Sequence, residues 1–345
     1  MSVTVRPLTA AGGDARGTPP TVPRESVHRQ SSSEVFLGSA VPHPDGSFTA
    51  RAVLPPTHPY WTDHAHPRAA DPLLLLECCR QAETYAAHEF FGVPADDKFV
   101  LVDWSLALEP AADGPAVAGA EVAIEATTHD AERRGDALRA LAYRMRLSVN
   151  GASAGEARMR VRYVPQAVYR AMRTRRDGSA LPSSQEYRGR PDGVPAPPAE
   201  VARAAEDNVL LLDVRREDDA LRARMRVAGG HPSLFDHAQD HVPGMVLMEA
   251  GRQAALAALA CWGGRPAADW RTSVLRAGFS AYAELDAPLT VTAHRPEPAD
   301  GTDGALGVRV TFTQSGRSPA EAYFAAVPGP ASPLPRTGGD TAARA

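Results

Sequence analysis

The sequence predicts an α+β fold built from two tandem copies of one unit, each a single apolar helix wrapped by an antiparallel sheet. Three observations carry that prediction. The chain repeats itself: His58-Pro59, Asp63-His64-Ala65, Glu77 and Arg80-Gln81-Ala82 recur as His231-Pro232, Asp236-His237-Ala238, Glu249 and Arg252-Gln253-Ala254, at an offset of 173 residues that becomes 172 after a one-residue gap. Both halves read as two strands, one helix, then three or four strands. Both helices open on apolar runs, Leu73-Leu74-Leu75-Leu76 and Met245-Val246-Leu247-Met248, and continue through alanine-rich turns, as a helix covered on nearly every side requires.

In the first half, Ser33 to Gly38 and Ser47 to Leu54 flank the turn His43-Pro44-Asp45-Gly46 and read as two strands. Asp71-Pro72 opens a helix, with a capping carboxylate before proline at the first helical position, and the helix runs from Leu73 to about Phe90, where Gly92 and Pro94 end it. Strands follow at Phe99 to Leu108, Ala120 to Thr128, Ala137 to Val149 and Glu156 to Val164. In the last two, apolar residues such as Leu141, Tyr143, Met145, Met159 and Val161 alternate with arginines, so one face of the sheet meets water. The second half repeats the order, with strands at Asn208 to Arg215 and Ala220 to Ala228, a helix from Pro243 to about Trp262, and strands at Thr272 to Tyr282, Leu289 to Arg295, Ala305 to Gln314 and Ala320 to Val327. This order is that of a tandem, or double, hotdog. The expected divisions are a disordered N-terminus at 1–25, the first unit at 26–165, a linker at 166–205 in which Gln166 to Arg176 can form a short helix, the second unit at 206–328, and a disordered tail at 329–345.

Composition narrows the function. A formal charge of −4, with arginines scattered among acids, gives no basic stripe for nucleic acid. Three cysteines, two of them adjacent, fit a reducing compartment rather than a disulfide framework, and the expected location is cytoplasmic. No apolar run approaches the roughly 20 residues that a bilayer span needs. Lys98, the only lysine, sits beside Asp96 and Asp97 in an expected loop and is a poor candidate for Schiff-base chemistry.

Glu77 and Glu249 are the anomaly, because a carboxylate inside a covered helix costs several kcal/mol unless it is partnered. Arg80 and Arg252, each three residues on, can partner them on the same helical face. That pairing alone would be a structural ion pair. Its duplication near two helix N-termini points to a site, since the first amides of a helix are free donors suited to an oxyanion or a phosphate. Gly244 allows close approach there. His237, Asp240 and His241 precede the second helix, and His58, Asp63, His64 and His66 the first; any of these imidazoles suits proton transfer or a structural role in its loop. Asp236, His237, Asp240 and His241 crowd too short a loop for an ordinary metal site, and no metal is expected.

At these residues the chain resembles a family. Asp240-His241-Val242-Pro243-Gly244-Met245-Val246-Leu247-Met248-Glu249-Ala250 with Arg252-Gln253 is similar to the signature of the A-factor biosynthesis hotdog family, the AfsA-type γ-butyrolactone synthases. Val27-His28-Arg29, Glu34 to Leu37, His58-Pro59-Tyr60, Asp71 to Leu74, and Glu77 with Arg80-Gln81 fit its N-terminal copy. The outline His237, Pro243-Gly244, Glu249 also resembles, more weakly, the β-hydroxyacyl-ACP dehydratases. The first resemblance implies an acyltransferase that joins a β-ketoacyl group from acyl carrier protein to a hydroxyl of dihydroxyacetone phosphate; no cofactor is expected, and the charge and hydropathy already given lead to no nucleic-acid partner and no membrane being expected either. It implies functional roles at Glu77, Glu249 and Arg252; His237, Asp240 and His241 are added from the chemistry as catalytic candidates, and Arg80, Gly244 and Gln253 as substrate-binding ones. Since the first loop carries Pro67-Arg68-Ala69-Ala70 where the second has Asp240-His241-Val242, the working site is expected on the His237 loop with Glu77 facing it, and Glu249→Gln is expected to abolish ester formation without unfolding the chain. A dehydratase, a thioesterase, or a silent lactone- or acyl-binding module are the alternatives.

Overall fold

A computed structural model describes residues 21–64, 70–109, 119–175, 177–189, 191–300 and 304–329. Residues 1–20 and 330–345, most of the segments expected to be disordered, and the loop residues 65–69 with His66 lie outside them.

The first half comprises β1 (Leu37–Pro42), β2 (Phe48–Val53), α1 (Pro72–Glu89), β3 (Lys98–Leu108), β4 (Glu121–Arg134), β5 (Ala137–Val149) and β6 (Ala152–Val164). A short helix α2 (Gln166–Arg173) follows. The second half comprises β7 (Leu211–Arg216), β8 (Ala220–Met225), α3 (Gly244–Gly263), β9 (Trp270–Phe279), β10 (Thr290–His294), the two-residue β11 (Glu297–Pro298), β12 (Leu306–Gln314) and β13 (Arg317–Pro328). The strands form one antiparallel sheet in the order β1-β2-β4-β5-β6-β3-β9-β13-β12-β10-β8-β7, with β11 against β12. Read outward from the β3–β9 seam, the two halves carry the same order, and the seam itself pairs Trp104 with Ala277 and Leu106 with Leu275. The double hotdog is therefore one continuous sheet folded around two helices.

Local chemistry sets the helix ends. Asp71 caps α1 by accepting the Leu73 amide at 2.7 Å, and Pro72 occupies the first helical position without losing a hydrogen bond. Gly264, at φ 70°, ends α3 in the left-handed conformation that glycine adopts without strain. Leu73 to Leu76 and Val246 to Met248 are fully enclosed, and each such side chain stabilises the fold by about 1.5–3 kcal/mol. On the outer face, Arg144, Arg146 and Arg158 stand exposed and pair with Glu125 and Glu156.

Two expectations shift. The first strand begins at Leu37, not Ser33, because Ser32–Glu34 forms a 3-10 turn that carries Glu34 inward, where it accepts bonds from Trp61 Nε1 at 3.0 Å and Ser233 Oγ at 2.7 Å and faces His58 Nε2 at 3.1 Å. Glu206–Asn208 does the same before β7. The 166–205 stretch is structured where it is described: it holds α2 and two 3-10 turns, Ser184–Tyr187 and Pro198–Val201, and ends in side chains that enter the site. Within the 1–25 stretch, Arg24 already begins a 3-10 turn.

Candidate active site

The duplicated glutamates anchor two related clusters between the helices and the halves. Glu77, on α1, is wholly buried and receives Arg29 Nη2 at 2.6 Å, Arg80 Nε and Nη2 at 2.8 Å, and Gln81 Nε2 at 2.7 Å. Glu249, on α3, receives Arg203 Nε at 3.0 Å, Arg252 Nη2 at 2.6 Å and Gln253 Nε2 at 2.6 Å. Arg29 and Arg203 are themselves repeat copies, each two residues beyond the last residue of a 3-10 turn and at an offset of 174. Each arginine loop is held by the other half: Asp236 accepts the amides of Gln30 and Ser31, and Asp63 those of Ala204 and Ala205.

The clusters differ in charge and access. Arg252 also donates to Asp71 at 3.0 Å, so two guanidiniums meet two carboxylates; Arg203 and Arg252 are 1% and 7% exposed. Pro243 stands where Asp71 stands in the repeat and offers no side-chain acceptor, so among the described residues Arg29 and Arg80 form direct ion pairs only with Glu77, with Asp236 the next acid near both. Burial by itself pushes the Glu77 carboxyl up, but the two guanidiniums overcome it and hold the group at about 2. Burial likewise opposes ionisation of Asp71, yet Arg252 keeps it below the ordinary carboxylate range.

A cavity of about 980 Å³ opens beside the first cluster. Arg29 and Arg80 line it from the first half, and His237, Asp240, His241, Gly244 and Met245 from the second. Glu77 lies behind the two arginines; Glu249, Arg203, Arg252 and Gln253 are not among the lining residues. Gln253 and its twin Gln81 instead tie their helices to the backbone before the first strand of each half, accepting Leu210 N at 2.8 Å and Phe36 N at 2.8 Å. Of the residues expected to contact substrate, Arg80 and Gly244 line the cavity and Arg252 and Gln253 do not, because the Asp71 carboxylate, a partner the sequence did not show, closes the second cluster.

Also lining the cavity, His241 has Nδ1 2.6 Å from Asp240 Oδ1, which also accepts Tyr169 Oη of α2 at 2.8 Å. Burial disfavours the charged Asp240, but the hydrogen bonds of His241 and Tyr169 and the charge of Arg173 hold it below the ordinary range. Arg173 braces the group by donating to the Asp240 carbonyl at 2.9 Å and twice to Glu284. His237 has Asp236 Oδ2 at 3.3 Å from Nδ1 and Gln239 Nε2 at 2.6 Å from Nε2. A Cβ on Gly244 would come within 3.0 Å of Leu101 Cδ2, so a larger residue there needs that leucine side chain to give way by a few tenths of an ångström. The first-half histidines split: His58 is a buried partner of Glu34, its repeat copy His231 lies 2.8 Å from Asn208 Oδ1, and Asp63 caps a loop. No cluster of metal-ligating side chains occurs among the described residues.

Arg203, Tyr169, Arg173 and Glu83 were not singled out by motif reasoning, and His28 and Arg29 entered it only within the matching segment Val27-His28-Arg29, with no role. For the arginines a signal existed in the offset repeat. His28 lines the cavity beside His88, with the two Nε2 atoms 2.8 Å apart, and burial depresses it to about 3.

The family model described as the A-factor biosynthesis hotdog domain matches residues 11–165 and 184–328. A protein of Streptomyces virginiae named 2-oxo-3-(phosphooxy)propyl 3-oxoalkanoate synthase is 35% identical over 85% of this chain and 93% of its own length. One of the same name from Streptomyces coelicolor is 33% identical over 86% of this chain and 88% of its own. Among solved structures, the 12:0-ACP thioesterase of Umbellularia californica superposes with a TM-score of 0.48 at 13% identity, covering 81% of this chain and 94% of the other.

Proposed function

The chain belongs to the A-factor biosynthesis hotdog family, and on that premise we propose that it joins a 3-oxoalkanoyl group to a hydroxyl of dihydroxyacetone phosphate, the ester that the name of its relatives describes. The acyl group arrives as a thioester on an acyl carrier protein. The hydroxyl oxygen attacks the thioester carbonyl; the new C–O bond forms, the C–S bond breaks, and the hydroxyl proton ends on the departing thiol.

The observation that carries this reading is the charge at the cavity wall. Two guanidiniums at the cavity wall make their direct ion pairs, among the described residues, with one carboxylate, with Asp236 a further acid near both, while the twin cluster binds a second carboxylate directly and is closed. A phosphate is the natural counter-ion, and planar guanidinium groups bind it through paired hydrogen bonds. Glu77, with its charge committed to Arg29 and Arg80, positions the pair and is a poor base. His241 is the better one: Asp240 fixes a proton on Nδ1 and leaves Nε2 to take the hydroxyl proton and return it to the thiolate. The first amides of α3, at Gly244 and Met245, have no partners inside their helix and suit the developing oxyanion. Lys98, Arg162 and Arg170, exposed cations that line the cavity, suit an acidic carrier. Among the described residues no helix is long and apolar enough to cross a membrane.

The test is incubation with a 3-oxoacyl thioester, with and without dihydroxyacetone phosphate, followed by mass spectrometry. The expected product is the phosphorylated ester, formed only with the acceptor. Arg29→Ala and Arg80→Ala each weaken use of the acceptor by roughly 10²-fold, the loss of a charged hydrogen-bonded contact. Release of free acid at an equal rate without acceptor would replace this reading with hydrolysis.

A further inference from the structure

Glu83 is a buried carboxyl that the steps above leave unused. It stands three residues beyond Arg80 on α1, so the two share a helical face, and both line the cavity. It is 1% exposed and forms no salt bridge among the described residues. Tyr163 Oη on β6 donates to its Oε1 at 2.9 Å, Thr84 Oγ1 to its Oε2 at 3.1 Å, and Tyr143 Oη on β5 lies 2.6 Å from that of Tyr163. An ionised carboxylate kept from water with only hydroxyl partners is unfavourable, whereas a neutral carboxyl has a proton to offer. Burial pushes Glu83 up to about 7, against the hydrogen bonds of Tyr163 and Thr84 and the charge of Arg80. The groups that face it are Arg80 and Thr84 on its own helix, Tyr163 on β6 and, behind that, Tyr143 on β5.

The internal repeat sharpens the point. Glu83, Thr84 and His88 correspond to Ala255, Leu256 and Ala260 on α3, and His28 to Ala202. The polar groups therefore occur only in the half whose arginines meet the cavity, and a requirement of the fold would have kept them in both.

Resting on the reading above, we propose that Glu83, in its protonated form, donates a hydrogen bond to the keto oxygen of the phosphorylated three-carbon acceptor and so fixes which end of it faces the thioester. Two short links, Arg80 Nη1 to Thr84 Oγ1 at 3.4 Å and Thr84 Oγ1 to Glu83 Oε2 at 3.1 Å, separate the carboxyl from the guanidinium assigned to phosphate. The keto group of such an acceptor lies two bonds past the phosphate ester oxygen, within that span.

Steady-state kinetics on the whole chain separate the outcomes. Glu83→Ala raises the acceptor KM by about tenfold or more, as expected when a site built to bond a polar group loses the bond, with kcat changed far less. Glu83→Gln, whose amide still donates, restores KM to near the wild-type value. Wild-type acceptor KM climbs above pH 7 as the donor proton is lost, approaching tenfold per pH unit, while that of Glu83→Gln stays flat. An unchanged KM in Glu83→Ala, or an equal climb with pH in Glu83→Gln, overturns the proposal. Inorganic phosphate as a competitive inhibitor keeps the two readings apart: it should bind wild type and Glu83→Gln alike through Arg29 and Arg80. If it inhibits while the Glu83 predictions fail, only the Glu83 assignment falls; if it fails to inhibit wild type, the phosphate site falls.

Discussion

The Glu77 and Glu249 clusters are copies of one arrangement, and the difference in their direct ion pairs turns on one position, Asp71 against Pro243. Asp71 caps its own helix and neutralises the arginine of the other half, so the second cluster has equal numbers of guanidinium and carboxylate groups and is shut. Pro243 can do neither, so α3 begins with bare amides and Arg80, without an aspartate at that position, lines the cavity. The same Glu–Arg–Gln triplet thus serves as a structural bolt in one place and as a candidate phosphate cradle in the other. Sequence identity between the repeats does not distinguish these roles; charge balance and access do.

Substituting the two glutamates should break this comparison most visibly. Glu249→Gln leaves Arg203 and Arg252 buried with Asp71 as their one remaining carboxylate, and removing one partner from a buried ion pair costs about 3–5 kcal/mol. That is a large share of the roughly 5–15 kcal/mol by which such chains are stable. We expect a marked fall in the guanidinium-chloride midpoint, rather than a folded chain lacking activity as the sequence alone implied. Glu77→Gln leaves arginines that reach the cavity, and millimolar inorganic phosphate should recover part of its smaller loss. Equal phosphate rescue of both variants would show the clusters to be equally open.

Pro243→Asp makes the open cluster resemble the closed one. An aspartate at the start of α3 can cap it, a gain of about 1 kcal/mol, while its carboxylate competes with substrate phosphate for Arg80. Thermal melting should therefore rise slightly as the acceptor KM rises about tenfold, the equivalent of about 1.4 kcal/mol. A stabilised variant with unaltered KM would remove Asp71 from the explanation of the difference.

The fold was legible because its signals are local. Capping at Asp71-Pro72, the apolar runs of α1 and α3 and the alternation along β5 and β6 can each be read within one segment. The site was legible only in part. Glu77, Arg80, Glu249 and Arg252 stand out as charges in apolar helices, but the Arg252–Asp71 contact joins residues 181 positions apart and depends on how the halves pack. Arg203, Tyr169 and Arg173 lay in a stretch whose prolines and glycines read as a linker, although the offset from Arg29 was there to be used. Glu83 was hidden by company: one acid among alanines and polar residues on α1 carries no pattern until Tyr163 is placed beside it.

Tyr169→Phe is the mildest perturbation. It keeps the ring that meets Tyr282 edge-on and removes only the hydroxyl that donates to Asp240. The α2 helix stays in place, because Arg173 still spans Asp240 and Glu284. A net hydrogen bond of this kind contributes about 1 kcal/mol, so loss of alignment in the Asp240–His241 pair should lower kcat by roughly fivefold. The acceptor KM should hold, since no hydrogen bond or ion pair among the described residues joins Tyr169 to Arg29 or Arg80. A changed KM with constant kcat would place Tyr169 on the acceptor's path rather than behind the imidazole, and would move proton transfer away from His241.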